Sequence, residues 1–529
     1  MEKASQHITR LRSPDAELER KFRHLYGDDP ELLQARKRAT RSLLEAFLSI
    51  YGDRPITVVR SPARINLLGM HVDHRGGHVN HLCIAREILI AAEPRKDDVV
   101  TMHNTDPQFE PRTFRIGEEL PPNQRGDWFR TIEEASIRPG DWQNYVRAPI
   151  LRLQDTLRDR TLRGMNLMVA GDIPQGMGLS SSSALVIATM EAFLRVNDMA
   201  LSPQEKITLC GEGEWYVGTR GGWGDHAAMI YGRRDQVAHI GFFPLSVEMV
   251  PFFSDYKVVA CNSFVQARKA IGAKHTYNAR VAAYEIGLMG IKKLIPQYAE
   301  RLIHFRDVNV RTLNWSSEQL YRLLKALPER ITRSEAMEAL PDHRETLERL
   351  FRTHDEPEAG YPIRSICLYG LAECERSRLC VDFLKRGDAV GFGRLKTIAH
   401  NGDRVCTFGD DGKLPWDNRV ADEDLDRLIT SLRSADPQTR ASAQLHLQPG
   451  GYGCSCEELD QLVDIAENVD GVVGAGLTGA GLGGCVLVLV REARVQDLID
   501  AVNRQYYVPK GLPSGAEVCT SVEGAGVIL

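Results

Sequence analysis

The sequence contains no long hydrophobic run. In 529 residues, apolar stretches such as CVLVLV at 485–490 are far shorter than a bilayer requires. The first seventeen residues, MEKASQHITRLRSPDAE, lack the apolar core of a secretory signal. Basic charge is not in excess, with 66 Lys and Arg against 71 Asp and Glu and a net charge of −5. These absences predict a cytoplasmic protein whose partners are neither nucleic acid nor membrane.

Closely spaced cysteines are also scarce. The eleven cysteines form an odd, scattered set, and the one close pair, Cys454 and Cys456, has the wrong spacing for a zinc knuckle. Reduced structural thiols are therefore expected. The length predicts two to four domains, and both a monomer and a dimer are compatible with the sequence.

The most informative segment present is PQGMGLSSSSA at 174–184, followed by the helix-like ALVIATMEAFL. Gly176 and Gly178 can adopt backbone angles closed to other residues, so the turn can direct successive N–H groups at an anion. The helix that follows adds its positive end. Because a flexible linker would not run directly into a helix, the segment predicts a phosphate cradle. No GK[ST] follows, which excludes a Walker loop.

The rest of the chain alternates short strand-like and helix-like segments, which predicts an α+β fold. Residues 1–54 are expected to be a helical extension, because Asp29 and Pro30 can start a helix that has Leu43, Leu44, Phe47 and Leu48 on one face. A seam near 250 separates the predicted N-terminal lobe, 55–250, from the C-terminal lobe, 251–529. Two stretches rich in charge and loop formers, about 301–360 and 404–450, are interpreted as surface insertions.

Three further segments join the serine loop: SPARINLLGMHVDHRGGHVN at 61–80, GEGEWYVGTRGGWGDH at 211–226 and GAGLTGAGLGGCVLVLV at 474–490. In this order and spacing the blocks resemble the GHMP small-molecule kinases, and the galactokinase branch most closely. The resemblance runs from about residue 55 to the C-terminus. It implies a two-lobed α+β structure with a ribosomal-S5-like N-lobe and a ferredoxin-like C-lobe. It also implies a small-molecule sugar substrate, ATP and Mg²⁺ as cofactors, and an active site between the lobes.

The resemblance assigns the nucleotide and metal residues. The phosphates would be held by the serine loop, Trp142 and Tyr145 would lie near the base, and the glycine turn of the C-lobe would close the cleft. Ser182 would face Mg²⁺. Glu214 would do so as well, because its spacing from Asp225 resembles that of mevalonate-type members of the family more than that of galactokinases. The residues assigned to the nucleotide are Pro174, Gly176, Gly178, Leu179, Ser180, Ser181, Ser182, Ser183, Trp142, Thr478 and Gly479. For Trp142 the alternative is an ordinary core aromatic.

The same resemblance makes Asp225 the general base and places Arg64 beside it and the transferring phosphoryl group. Without the family pattern, a helix cap for Asp225 and an ordinary surface arginine for Arg64 would be the favoured interpretations. The substrate residues it implies are Met70, His71, Asp73, Tyr277 and Gly222.

The first block departs from the family at Met70, where galactokinases carry a glutamate that accepts a hydrogen bond from the primary hydroxyl of the sugar. Losing such a bond in a buried site costs on the order of 1–3 kcal/mol. A uronic acid would not miss the glutamate, and plant-type galacturonate kinases also have an apolar residue there. Its carboxylate would need a cation, for which the sequence offers His74, Arg75, His78, Arg220, Arg268 and Lys269.

The sequence therefore predicts an ATP- and Mg²⁺-dependent kinase that phosphorylates the anomeric hydroxyl of a hexose-like sugar, with galacturonate as the leading candidate. A kinase for galactose, an amino sugar or a pentose is the alternative among enzymes. A galactokinase-like sensor without catalysis is the alternative from another class. The intact serines, Arg64 and Asp225 favour the enzyme.

Overall fold

The fold is described from a computed structural model of the whole chain. It describes every residue except 136, 139, 219–221, 267–270, 410 and 411, and the side chains of 271–274. Helices and strands are both abundant, which confirms the predicted α+β class. No helix in these described parts is long and apolar enough to cross a membrane.

Twenty α-helices occur within the described residues. They are α1 Ala4–Arg12, α2 Ala16–Tyr26, α3 Pro30–Tyr51, α4 Ile116–Glu119, α5 Trp128–Glu134, α6 Gln143–Thr156, α7 Ser181–Val196, α8 Pro203–Glu214, α9 Gly224–Tyr231, α10 Ile271–Leu294, α11 Val310–Leu313, α12 Ser317–Ala326, α13 Arg333–Ala339, α14 Arg344–Phe351, α15 Ile363–Arg386, α16 Ala389–Asn401, α17 Asp422–Leu432, α18 Pro437–Ser442, α19 Glu457–Glu467 and α20 Val495–Val502.

The same residues form fifteen strands. They are β1 Glu2–Lys3, β2 Pro55–Leu68, β3 Val79–Pro94, β4 Val99–Asn104, β5 Arg112–Arg115, β6 Met165–Gly171, β7 Gln236–Gly241, β8 Ser246–Pro251, β9 Tyr256–Asn262, β10 Cys406–Gly409, β11 Gly412–Pro415, β12 Val472–Leu477, β13 Cys485–Arg491, β14 Ala516–Val518 and β15 Gly526–Val527.

A nine-stranded sheet is the centre of the N-terminal half. Its main path runs β1-β2-β3-β6-β4-β5, with β15 beside β2 and β7 and β8 beyond β3. β2 and β3 are buried on both faces because alternate side chains enter different cores. Val58 and Leu89 pack against the core of α2 and α3, whereas Val59 and Ile90 pack against the core of α6 and α7.

The C-terminal half contains a four-stranded antiparallel sheet in the order β12-β13-β9-β14. The apolar run CVLVLV forms β13 at its interior. Val486 and Val488 face the core that includes α19 and α20, and Leu487 and Leu489 face the core shared with α16. A continuous apolar run is typical of such a strand, which is covered on both faces.

The extension formed by α1 to α3 is attached to the large sheet through buried charges. Asp29 accepts hydrogen bonds from the first turn of α3, which starts at Pro30 as predicted from the pattern. Arg36 of α3 donates to Asp172 Oδ2 at 2.8 Å, and Asp172 Oδ1 accepts from the Glu87 N–H at 2.7 Å. Asp172 lies two residues before the serine loop, so these contacts link the extension to the end of β6 just ahead of the loop.

Helices from both stretches interpreted as surface insertions belong to one helical unit, and the second stretch also contains the β10–β11 hairpin. α12, α13, α14 and α17 pack with α10 and α15 around a separate core that contains Leu320, Tyr321, Leu347 and Leu425. The sequence interpretation gave weight to charge and loop formers and overlooked the apolar stripe of each helix. The bounds of the lobes and insertions stay a prediction.

The chain's last strand crosses back to the N-terminal sheet. β15 pairs with β2, with Gly526 opposite Arg60 and Val527 opposite Val59. The sequence analysis assigned all of 251–529 to the C-terminal lobe, whereas residues 526 and 527 pair with the N-terminal sheet. Local pattern could not reveal it, because a two-residue strand has no periodicity.

Candidate active site

A cleft of about 320 Å³ lies where the first block, the serine loop, α8, α9 and the C-terminal glycine turn meet. It collects most of the residues that the sequence assigned to substrate, metal and catalysis. Those that line it are Arg64, Met70, His71, Asp73, Ser182, Glu214, Gly222, Asp225, Tyr277 and Gly479. Segments more than 400 residues apart in the chain therefore form one site.

The serine loop has the backbone geometry of an anion cradle. Gly176, Gly178 and Ser180 all have positive φ angles, of 75°, 74° and 58°. α7 begins at Ser181, and its N-cap residue Ser180 forms no side-chain cap. Because the first N–H groups of a helix lack intrahelical partners, they can face an anion at this end.

The glycine turn after β12 packs directly on this cradle. A Cβ added to Gly178 would lie 3.0 Å from the Thr478 carbonyl oxygen, and one added to Gly479 would lie 2.9 Å from the Gly178 Cα. Thr478 Oγ1 also donates to the Asn66 carbonyl at 3.3 Å. The approach of two backbones leaves no room for side chains, which explains the glycines.

Arg64 and Asp225 form a two-pronged ion pair at the floor of the cleft. Arg64 lies on β2, and Asp225 lies in the first turn of α9. Arg64 Nε and Nη2 donate to Asp225 Oδ1 and Oδ2 at 2.6 and 2.7 Å, and Nη1 donates to the Gly178 carbonyl at 2.7 Å. Ser180 Oγ donates to Asp225 Oδ2. The ion pair is thereby connected to the cradle.

Burial of the Asp225 carboxyl would raise its pKa, but the charge and hydrogen bonds of Arg64 outweigh burial and hold the pKa well below its usual range. Asp225 is therefore ionised at every pH near neutrality and can accept a proton. Arg64 is 7% exposed, so its charge acts in a poorly hydrated place where it has a large effect.

Glu214, the predicted metal residue, lies at the last position of α8. Ser183 Oγ donates to its Oε2 at 2.8 Å, and His226 Nε2 lies 2.9 Å from the same oxygen. Burial opposes ionisation of Glu214, but the nearby His226 lowers its pKa below the ordinary value. The hydroxyl that contacts Glu214 is therefore that of Ser183. Ser182, the serine predicted to face the metal, lines the cleft together with Ser183.

The side wall of the cleft contains Asp73, Gly222 and Tyr277. Burial would raise the pKa of Asp73, but the hydrogen bond and charge of His74 lower it below its ordinary value. His74 Nδ1 lies 2.9 Å from Asp73 Oδ1. A Cβ at Gly222 would collide with the Asp73 carboxylate, so glycine at this position leaves the present position of that carboxylate undisturbed. Burial, and then the charge of Asp73, raise the pKa of Tyr277 to about 12, which keeps its hydroxyl protonated.

Met70 is 3% exposed and lines the cleft. Its backbone is bound by the side chain of Glu373. The Glu373 Oε1 accepts from the Gly69 and Met70 N–H groups at 2.8 and 3.1 Å. Its Oε2 accepts from Arg376 Nε at 2.7 Å, and both side chains are fully buried. Sequence reasoning missed Glu373. The one available signal was its place in ECERSRLC, a stretch that resembles the family.

Trp142 lies in the core of the N-terminal half, 8% exposed, and its Nε1 donates to the Glu110 carbonyl at 3.0 Å. Its ring packs on Phe109 with the ring centroids 6.0 Å apart. Trp142 is absent from the residues that line the cleft. This placement favours the alternative of a core aromatic, and the nucleotide role of Trp142 stays a prediction.

The cations suggested for a substrate carboxylate are mostly engaged elsewhere. Arg75 pairs with Glu285. Burial and neighbouring positive charges lower the pKa of His78 to about 3, which favours its neutral form, and His78 does not line the cleft. His74 contacts Asp73. The remaining candidates, Arg220, Arg268 and Lys269, lie outside the described residues.

Comparisons with known proteins agree with this architecture. Family profiles described as GHMP kinases N terminal domain, GHMP kinases C terminal and Galactokinase galactose-binding signature match residues 144–233, 420–508 and 45–94. A galactokinase of Dictyostelium discoideum is 27% identical over 479 residues, covering 89% of this chain and 88% of its own. A galactokinase of Roseiflexus sp. (strain RS-1) is 27% identical over 491 residues, covering 93% and 97%.

Among solved structures, Lactococcus lactis galactokinase complexed with galactose superposes with a TM-score of 0.64 at 22% identity, covering 92% of this chain and 98% of that one. This likeness concerns the fold. The chain thus contains segments that match the N- and C-terminal domains of GHMP kinases and the galactokinase galactose-binding signature, in the fold of these kinases. These matches support a galactokinase-like sugar kinase, as the sequence resemblance predicted.

Proposed function

We propose that the protein transfers the γ-phosphoryl group of ATP directly to the anomeric hydroxyl of a hexose-like sugar, with a uronic acid such as galacturonate as the leading substrate. The observation that carries the reaction type is the Arg64–Asp225 pair fixed to the cradle through Gly178 and Ser180. The observation that carries the sugar class is the buried thioether of Met70 where galactokinases have a carboxylate.

The residues present fit the nucleotide and its metal. Backbone N–H groups at the start of α7 and the tight glycine approach from Gly479 suit phosphate oxygens. The ionised Glu214 and the hydroxyls of Ser182 and Ser183 are oxygen ligands, which Mg²⁺ prefers. When bound, Mg-ATP supplies the phosphoryl group and neutralises part of its charge.

Asp225 acts as the general base in this proposal. Phosphoryl transfer passes through a loose transition state, so the acceptor hydroxyl keeps its proton until late in the reaction. A carboxylate of low basicity can take that proton once the bond to phosphorus has formed. Arg64 keeps both Asp225 oxygens in place, and its fixed positive charge offsets the negative charge that develops nearby.

The proposed sugar substrate is inferred from the side chain at residue 70, which cannot form a strong hydrogen bond. A thioether offers no strong acceptor for a primary hydroxyl, and it does not repel a carboxylate as a glutamate would. Arg75 pairs with Glu285, and neither Arg75 nor His78 lines the cleft, so His74, which contacts Asp73, and Arg220, Arg268 and Lys269 are the candidates left for the cation.

The deciding experiment measures ADP release from Mg-ATP with galactose, galacturonate, glucuronate, N-acetylgalactosamine, arabinose and no sugar. Galacturonate should give the highest kcat/KM. Higher turnover with another sugar would refute the substrate and keep the reaction. If no sugar raised ADP release above the blank, the kinase assignment itself would fail.

Replacing Glu214 by Gln should raise the Mg²⁺ concentration needed for half-maximal velocity by about tenfold, because the amide removes a negative metal ligand. The measurement is velocity against free Mg²⁺ at fixed ATP. Glu212→Gln is the matched control: Glu212 lies on the same helix, but its carboxylate accepts from Arg152 at 2.7 and 2.9 Å. An equal effect of both variants would remove Glu214 from the metal site.

Replacing Met70 by Glu should raise the ratio of kcat/KM for galactose to that for galacturonate by about tenfold or more, because the new carboxylate accepts from a primary hydroxyl and repels a uronate. Met70→Gln has the same size without the charge and should change the ratio less. If the Met70→Glu ratio equalled that of the unmodified protein, residue 70 would not contact the substituent.

A further inference from the structure

Three side chains that could bind a metal ion come together from distant parts of the chain, one of them from the first block itself. They are His71, Asp403 after α16, and Cys454 before α19. One donor atom from each lies within 4.8 Å of the other two. All three residues are buried, with exposures of 8%, 0% and 0%. The sequence could not indicate this cluster, because its members are separated by more than 300 and by about 50 residues.

The His71 ring points an unsatisfied nitrogen into the cluster. Its Nε2 is buried without a hydrogen-bond partner and lies 3.5 Å from Asp403 Oδ1. The ring is fixed by stacking on Tyr452, with the centroids 4.3 Å apart, and by a backbone φ of 61°. A separation of 3.5 Å exceeds the usual hydrogen-bond range of about 2.7–3.2 Å. It is close to the roughly 3.3 Å between two ligand atoms bound to one tetrahedral zinc ion.

We propose that His71 Nε2, Asp403 and Cys454 Sγ bind a zinc ion that fastens the sugar-binding block to the C-terminal half. Imidazole, carboxylate and thiolate together suit zinc better than Mg²⁺ or Ca²⁺, which prefer oxygen ligands. The carboxylate and the thiolate each contribute one negative charge, which balances the charge of Zn²⁺. On binding, the sulfur–zinc bond replaces the sulfur–hydrogen bond and the proton leaves to solvent.

Surrounding groups orient the three ligands. Tyr369 Oη donates to Asp403 Oδ2 at 3.1 Å, and the Cys454 N–H donates to Asp403 Oδ1 at 3.3 Å. The Arg280 side chain lies next to Cys454, at the end of the loop that carries it. Such outer contacts fix ligand geometry in protein metal sites. The remaining coordination position would be taken by water or another oxygen donor.

The consequence for the site is positional. His71 directly follows Met70 and lines the cleft, whereas Asp403 and Cys454 belong to the other half of the chain. An ion held by all three would fix the backbone that presents Met70 and Asp73 to the substrate. This inference does not depend on which sugar is phosphorylated.

The test is the zinc content of the full-length protein, purified without chelators and measured by plasma mass spectrometry. We expect about one zinc per chain in the unmodified protein and at least a tenfold loss in Cys454→Ala and Asp403→Ala. Cys261→Ala, which removes another fully buried cysteine, is the matched control and should keep its zinc.

Cobalt substitution gives a second readout, which starts from the unmodified protein. Co²⁺ added to metal-free, unmodified protein should produce the absorption of a cobalt–thiolate bond, and Cys454→Ala should abolish it. Less than about 0.1 zinc per chain together with no such absorption would overturn the proposal. Undiminished zinc and cobalt absorption in Cys454→Ala would overturn it as well. Kinase activity is measured separately, so its presence or absence decides neither outcome.

Discussion

Asp225→Asn is expected to lower kcat by about 10²–10⁴, because an amide keeps the shape of the side chain and cannot accept the proton of the sugar hydroxyl. The change also leaves the buried guanidinium of Arg64 without its two-pronged carboxylate. The measurement is steady-state ADP release with saturating Mg-ATP and sugar. KM for the sugar should change much less than kcat, since the lost interaction belongs to the transition state.

The control for this prediction is Asp342→Asn, an exposed carboxylate in the helical unit that should leave kcat unchanged. The pH profile gives an independent check. Because Arg64 holds the Asp225 pKa well below its usual range, the base stays ionised as pH falls, and no loss of kcat/KM between pH 8 and 5 should be due to Asp225. A kcat for Asp225→Asn within about twofold of the unmodified protein would remove Asp225 from catalysis.

Glu373→Ala is expected to lower the free energy of unfolding by about 3–5 kcal/mol, because it leaves Arg376 as a buried cation without its carboxylate. Arg376 is fully buried, and its remaining partners are the carbonyls of His446 and Gln448. The same change removes the acceptor for the Gly69 and Met70 N–H groups. Denaturant unfolding followed by circular dichroism measures the loss.

Glu375→Ala is the matched control on the same helix. Glu375 also pairs with arginines, Arg311 and Arg378, but these are 50% and 34% exposed and can be solvated when the carboxylate is removed. The expected loss is about 1 kcal/mol. Equal destabilisation by the two variants would show that burial does not distinguish these ion pairs.

The N-terminal helices, the α+β class and the family were predictable because their signals are local. The cap at Asp29 and the apolar face of α3 follow from residue types within a few turns. Likewise, the serine loop and the glycine turn are contiguous motifs whose glycines are required by backbone geometry. Local signals of this kind can be recognised in the sequence without knowledge of the fold.

The helical unit and the return of β15 were not predictable in the same way. The helices between 301 and 360 have short apolar stripes within charged segments, so their burial depends on the partners α10 and α15. Glu373 is a similar case, because a glutamate in a polar-looking helix gives no sign that it will be wholly buried against Arg376. Such placements are set by packing rather than by periodicity.

The sequence by itself determined the kind of chemistry: a phosphate cradle, an arginine and an aspartate at family spacing, and a methionine in place of a glutamate in the sugar block. Only the tertiary structure decided which groups are charged, free and within reach. In the structure, Arg64 donates to both Asp225 oxygens and Arg75 pairs with Glu285. Burial lowers the pKa of His78, and His71 lies beside Asp403 and Cys454. The physical reason is that burial and through-space contacts set pKa values and pairing, and these depend on residues far apart in the chain.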